Sequence, residues 1–143
     1  MDQPRIVNQE FVTDEAYFYA PIADAVDIED GDLITFASST AIVMAAANAD
    51  ATFIGVAAQQ KESGDGQRTL KVCINPIVEI DVTSGTYVPG DELKWTSENT
   101  LVASGSADAI GRVWLLMDGG ITGTETRLIA RLITDKYWRS LSA

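Results

Sequence analysis

Apolar and charged residues alternate most cleanly in the middle of the chain. From Pro76 to Val82, the side chains of Val78, Ile80 and Val82 recur with period two, separated by Glu79 and Asp81. Such a run builds a strand with one apolar and one charged face. Pro89-Gly90 suits the central positions of a type II turn, because proline presets φ and glycine accepts a positive φ. Glu92 to Thr96 and Ile110 to Met117 supply two further β-type runs. Val78, Ile80, Val82, Leu93, Trp95, Ile110, Trp114 and Leu128 are the expected core residues.

The same pattern occurs earlier. Asp30-Gly-Asp-Leu-Ile-Thr-Phe36 parallels Pro89-Gly-Asp-Glu-Leu-Lys-Trp95 at an offset of 59, and Ile42-Val43 falls on Leu101-Val102 at the same offset. Ile54-Gly55 then matches Ile110-Gly111 at an offset of 56. Each copy reads as a turn, Gly-Asp, a strand, a polar bend, an apolar pair, and Ile-Gly opening a closing strand. Two copies are too few for a solenoid; they suit two halves of one small barrel or sandwich. The fold class is therefore mainly β, a single small β-barrel domain with two Gly-Asp…Ile-Gly half-repeats.

The remaining segments fill in around these copies. Residues 1–20 read as an extended N-terminal arm, 21–134 as the β-rich domain, and 135–143 as a short tail. The arm scatters Ile6, Val7, Phe11, Val12 and Tyr17-Phe-Tyr-Ala-Pro21 without helical or strand spacing, as a segment that binds another surface does. Its aromatic groups could equally fold back onto their own domain. Ala25 to Ile28 suggest a short strand. Ala41 to Met44 suggest another, followed by a helical turn near 47–51. Phe53–Ala58 and Thr69–Ile74 flank an exposed loop, 59–68, rich in glycine and charge. Thr126 to Ile133 form a last strand with Leu128, Ala130 and Leu132 on one face.

Charge and chemistry narrow the function. The net charge is −11, which argues against a nucleic-acid groove lined by basic residues. Acidic residues crowd the first fifty positions, while Arg127, Arg131, Lys136 and Arg139 crowd the C-terminus. This lopsidedness suits either steering toward a basic surface or simple solubility. No apolar run is long enough to cross a bilayer as a helix, and the N-terminus lacks the apolar region of a secretory signal. The chain has no histidine, which removes the commonest general base and metal ligand. No nucleophile elbow, phosphate loop or dinucleotide fingerprint is present. Glu79 and Asp81 could flank a glycosidic bond, but they fit an alternating strand face as well. The acidic cluster Asp24, Asp27, Glu29, Asp30, Asp32 fails the calcium-loop pattern, since Gly31 at the invariant glycine would put Val26 first and Ala37 twelfth. That leaves a looser surface cation site, or a turn at Asp30-Gly31. The lone Cys73 is expected to pack within a strand. No enzyme activity, cofactor or metal is expected.

One set of segments has a familiar arrangement: Gly31-Asp-Leu-Ile, Ile42-Val-Met-Ala, Asp50-Ala-Thr-Phe-Ile-Gly-Val-Ala57, Thr69-Leu-Lys-Val and Gly85-Thr-Tyr-Val-Pro-Gly-Asp91. Over roughly residues 24–133 it resembles the capsid decoration, or cement, proteins of tailed bacteriophages, including relatives of the lambda head-decoration protein. The resemblance implies a β-tulip-like fold and a subunit that binds the outer capsid surface of the virion, usually as a homotrimer. It also implies the major capsid protein as partner and an N-terminal arm that reaches neighbouring capsid subunits. The partner-binding candidates are then Arg5, Ile6, Val7, Phe11, Tyr17, Phe18 and Tyr19 in the arm, with Tyr137, Trp138 and Arg139 in a tail that has no counterpart in the pattern. A lectin-like or adhesive module presenting Tyr87, Trp95 or Trp114 to sugars is the alternative, although the repeat-matched Trp95 and Trp114 are expected to be buried.

Overall fold

The computed structural model describes residues 3–6, 17–37, 40–43, 52–104 and 109–134. Among these, eleven strands occur: β1 (Arg5–Ile6), β2 (Tyr17–Pro21), β3 (Leu33–Ala37), β4 (Thr40–Val43), β5 (Phe53–Ala57), β6 (Thr69–Cys73), β7 (Ile77–Tyr87), β8 (Glu92–Ser97), β9 (Thr100–Ala103), β10 (Ala109–Leu116) and β11 (Gly123–Leu132). The chain is mainly β, and it contains a closed five-strand barrel. One sheet runs β1-β7-β11-β10-β8-β9, and a parallel pairing of β9 with β7 closes it. The other runs β2-β6-β5-β3-β4. Next to its two outer strands, the Ala23 amide donates to the Thr40 hydroxyl at 2.7 Å.

The two half-repeats thus become two five-stranded units with one strand order, β2-β6-β5-β3-β4 matching β7-β11-β10-β8-β9. The match extends to register. Leu33, Ile34 and Thr35 face Val56, Gly55 and Phe53, with a break between Ile34 and Thr35. Their counterparts Glu92, Leu93 and Lys94 face Arg112, Gly111 and Ala109, with the break at the same step. Tyr17 to Pro21 face Cys73 to Thr69 as Ile77 to Asp81 face Arg131 to Arg127. The turns correspond as well. Asp32 N–H donates to Glu29 O at 3.0 Å, and Asp91 N–H to Val88 O at 3.0 Å. Gly31 and Gly90, at φ 97° and 96°, hold the third turn position, which only a residue tolerant of positive φ fills without strain.

Each unit has its own interior. In the first, Ala20, Ile22, Ile28, Ile34, Ala41, Ile54, Ala57, Leu70 and Val72 pack together. The interior of the second holds Val78, Ile80, Val82, Tyr87, Leu93, Trp95, Leu101, Ile110 and Leu128 among others. Leu33, Phe53, Val56 and Cys73, from alternate positions on the first unit's strands, join that second cluster together with Ile6. One face of the first sheet therefore lines its own unit's interior, while the other docks against the closed barrel. Period-two alternation is what lets one strand serve both.

Three expectations change, and a fourth is refined. Tyr17–Tyr19, read as the end of an arm, lie in β2, because Tyr17 to Pro21 pair residue by residue with β6. Ala25 to Ile28 do not form a strand; Ile28 makes a single bridge to Lys61. The 59–68 loop is exposed over Glu62–Gly66 as expected, but Lys61 within it is buried and anchors it. Its Nζ donates to Asp24 O at 2.8 Å, Glu62 O at 3.0 Å and Asp65 Oδ1 at 3.1 Å. Trp114, expected in the core, is 48 % exposed. Ile110 and Val113 both point inward although three residues apart, because the register against β8 shifts between Ala109 and Gly111. Trp114, next to the inward Val113, therefore falls on the outer face, and a second bulge at Trp114 leaves Leu115 exposed as well. The other seven expected core residues are buried. The helical turn expected at 47–51 lies outside the described residues.

Candidate interaction surface

The N-terminal segment is positioned by both units. Gln3 Nε2 donates to Asp32 Oδ1 at 2.5 Å in the first Gly-Asp turn. The same oxygen accepts Asn99 Nδ2 at 2.9 Å, and Asn99 Oδ1 accepts the Leu33 amide at 2.9 Å. The β8–β9 hairpin tip of the second barrel is thereby tied to the start of β3 in the first unit. Arg5 and Ile6 then face Glu79 and Val78 along β7, on the edge that β9 occupies farther along. Arg127 holds this junction, with Nη2 donating to Gln3 O at 2.6 Å and its guanidinium paired to Glu79 and Asp81.

The arm candidates are accordingly split. Arg5 is exposed and paired to Glu79 at 3.3 Å, whereas Ile6 is buried in the shared cluster. The Tyr17 ring lies under Lys71 Nζ, 4.4 Å from its centroid, and burial, then Cys73 and Asp30, raise its phenol above the ordinary value. Phe18 is half-buried, and Tyr19 is 64 % exposed. Val7, Phe11, Tyr137, Trp138 and Arg139 lie outside the described residues. The structure does not gather the described candidates into one patch: Arg5 and Ile6 border β7, and Tyr17–Tyr19 border β6.

A different surface emerges on the second barrel. Val88, Trp114, Leu115, Met117, Ile121 and Ile133 are its large exposed apolar side chains. The Val88–Gly90 turn lies beside β10, because Gly90 N–H donates to Val113 O at 2.8 Å. Met117 and Ile121 belong to the turn that follows β10. Between these elements, Pro89, Gly90, Arg112, Val113, Trp114, Arg131 and Ile133 line a largely apolar surface pocket of about 300 Å³. Arg112 and Arg131 face each other across β10 and β11, an arrangement of like charges that costs stability within a sheet. Arg112 is partly compensated, donating to Gly90 O at 2.8 Å and lying 3.6 Å from Glu92. Among the described residues, no carboxylate lies within ion-pair distance of Arg131.

The pseudo-repeat explains what is distinctive about this face. The first unit's docking residues Tyr17, Leu33, Phe53, Val56 and Cys73 correspond to Ile77, Glu92, Ala109, Arg112 and Arg131. The first set packs into the shared core. The second set is half-buried or exposed. One copy of the face is consumed inside the molecule, and the other faces outward.

The acidic loop is engaged in its own fold. Asp24 Oδ1 accepts the Gly66 amide and Asp27 Oδ1 the Ser63 amide, both at 2.6 Å. No group of three potential metal ligands occurs among the described residues. Tyr87 and Trp95, two of the three suggested sugar platforms, are buried. Sequence reasoning passed over the Arg112–Trp114–Arg131 face, although a signal was present. Val113-Trp-Leu-Leu-Met117 is five consecutive large apolar residues, more than a half-buried strand can turn inward. No protein-family model and no curated protein sequence matches the chain.

Proposed function

We propose that this chain is a non-enzymatic structural subunit that decorates the outer surface of a tailed-bacteriophage capsid, binding the major capsid protein and assembling as a homotrimer. The observation that carries this reading is the outer face of the second barrel, where the exposed Trp114 and Ile133 stand with Pro89 around one largely apolar pocket, on a chain of net charge −11. Exposed apolar groups grouped in this way on a charged protein mark a surface that another macromolecule covers. The frame of a closed barrel beside a five-stranded sheet supports the role, because a cement must present its contacts on ordered elements. The resemblance of the Gly-Asp and Ile-Gly segments to decoration proteins supplies the identity of the partner.

The test is co-sedimentation with expanded phage heads of a host-matched phage. The wild-type chain is expected to pellet with heads, and Trp114→Lys with Leu115→Lys to stay in the supernatant while keeping the wild-type melting temperature. A chain that fails to bind any expanded head, or a double variant that binds undiminished, would sink the proposal. One observation favours a second reading: Trp114 stands exposed beside Arg112, as a sugar-stacking platform does. A glycan array on which binding depends on Trp114 would select the lectin.

A further inference from the structure

We infer that the Gly90–Trp114 pocket is a docking groove for an extended peptide segment of a partner protein, one that pairs an apolar side chain with a neighbouring carboxylate. This names the chemistry of the partner contact and rests on the reading of the second barrel as the interaction surface.

The argument starts from the other half of the molecule, where the equivalent place is already filled by a peptide. Asp30 and Gly31 correspond to Pro89 and Gly90. Over them runs the extended segment Gln3–Ile6, with a pocket between the two. A Cβ placed on Gly31 would lie 2.2 Å from Pro4 O, so the segment rests directly on the turn. Ile6, at its end, shares a buried cluster with Val56 and Cys73, the counterparts of Arg112 and Arg131. On Gly90 the same probe meets nothing within 4 Å. The turn geometry, strand order and register are common to both units; among the described residues, only the first has a covering strand.

The side chains that differ specify the occupant. Where the first unit has Val56 and Cys73, the second has Arg112 and Arg131, while Trp114, Pro89 and Ile133 keep the walls apolar. An apolar side chain would replace water against Trp114, and a carboxylate on the same segment would relieve the opposed guanidinium charges. Among the described residues Arg131 has no carboxylate partner, and its guanidinium suits a forked, two-bond geometry with one. A basic segment would meet repulsion there, and a uniformly polar one would leave Trp114 without an apolar partner.

Selection of a random library of short displayed peptides against the folded protein tests this. The expected result is enrichment of sequences combining a large apolar residue with Asp or Glu. The enriched peptide, made synthetically, should lose about tenfold or more in affinity against Trp114→Ala. Selection against Arg131→Glu should shift the preference from acidic toward basic residues. Both positions are exposed, and an unchanged circular dichroism spectrum confirms that each variant is folded. Failure to enrich any family, enrichment that both variants retain, or Trp114-dependent binding to glycans alone would overturn the inference. A protein that selects such peptides but ignores phage heads keeps the groove and discards the capsid reading. One that decorates heads but selects no peptide does the reverse.

Discussion

Two buried side chains show what single residues contribute. Burial pushes the Cys73 thiol up to about 11, and the side chain is closed off from solvent between β2, β5 and β6. The thiolate is the reactive form, so Cys73 should stay silent toward Ellman's reagent in the native protein and react stoichiometrically once guanidinium chloride unfolds it. Native-state labelling at neutral pH would refute this. Lys61 acts through hydrogen bonds to two carbonyls and a carboxylate. Replacing it by Met keeps the aliphatic stem but strands those acceptors, at a cost of roughly 1–3 kcal/mol in denaturant unfolding. Its partner Asp65 has its carboxyl held below the ordinary 3.8, first by the Gln67 amide and also by Lys61. A depressed folded-state value means that Asp65 stabilises the fold above the ordinary carboxylate range. That contribution disappears as pH falls through the lower folded value. Acid titration of stability should therefore be steeper for wild type than for Lys61→Met, and identical slopes would exclude the coupling.

At the level of elements, the paired turns offer an internal control. Gly90→Ala meets only the backbone cost of a positive φ, about 1–2 kcal/mol. Gly31→Ala bears the same cost and also drives a methyl group into Pro4 O. The expected order in chemical denaturation is wild type, then Gly90→Ala, then Gly31→Ala; equal losses would mean that the Gln3–Ile6 segment yields easily. These turns were readable from sequence because Gly-Asp after proline or aspartate carries its own geometry. The β7 alternation and the 59- and 56-residue offsets were readable for the same local reason. The bulge at Trp114 was not, since the identity of a residue does not reveal which strand pair will skip a position. Nor was β2. Tyr17-Phe-Tyr-Ala-Pro21 contains three consecutive aromatic residues with no polar alternation, because Tyr17 packs against the closed barrel's cluster while Ala20 fills the interior of its own sheet. The Arg112–Arg131 pairing spans two strands and became visible only once register was known.

For the molecule as a whole, the sequence suggested one barrel shared by two half-repeats, and the structure gives each repeat its own sheet. What joins them is the shared cluster that takes Leu33, Phe53, Val56 and Cys73 from the first unit, together with a few long-range ties: Asn99 to Asp32 and Leu33, and Gln3–Ile6 to both units. Removing residues 2–6 should therefore lower stability. Burial of Ile6 alone contributes roughly 1.5–3 kcal/mol, reduced by the cost of ordering the segment. A truncated chain that melts at the wild-type temperature would show these residues to be a separable arm after all. By contrast, Trp114→Ala should change stability by less than about 0.5 kcal/mol while weakening association, as expected of a side chain that contributes to an interface and not to the fold.

The pairing of Arg5–Ile6 with Val78–Glu79 also imposes an order on biosynthesis. The segment leaves the ribosome well before its partner strand, which is translated more than seventy residues later. By then β2 to β6 have all been made, so the first unit can close while Ile6 still waits in solvent. A nascent chain halted far enough past β6 for that strand to clear the ribosome should thus resist protease within β2, β3, β5 and β6 but remain cuttable near residues 3–6. That susceptibility should vanish only when synthesis has passed β7 and β11.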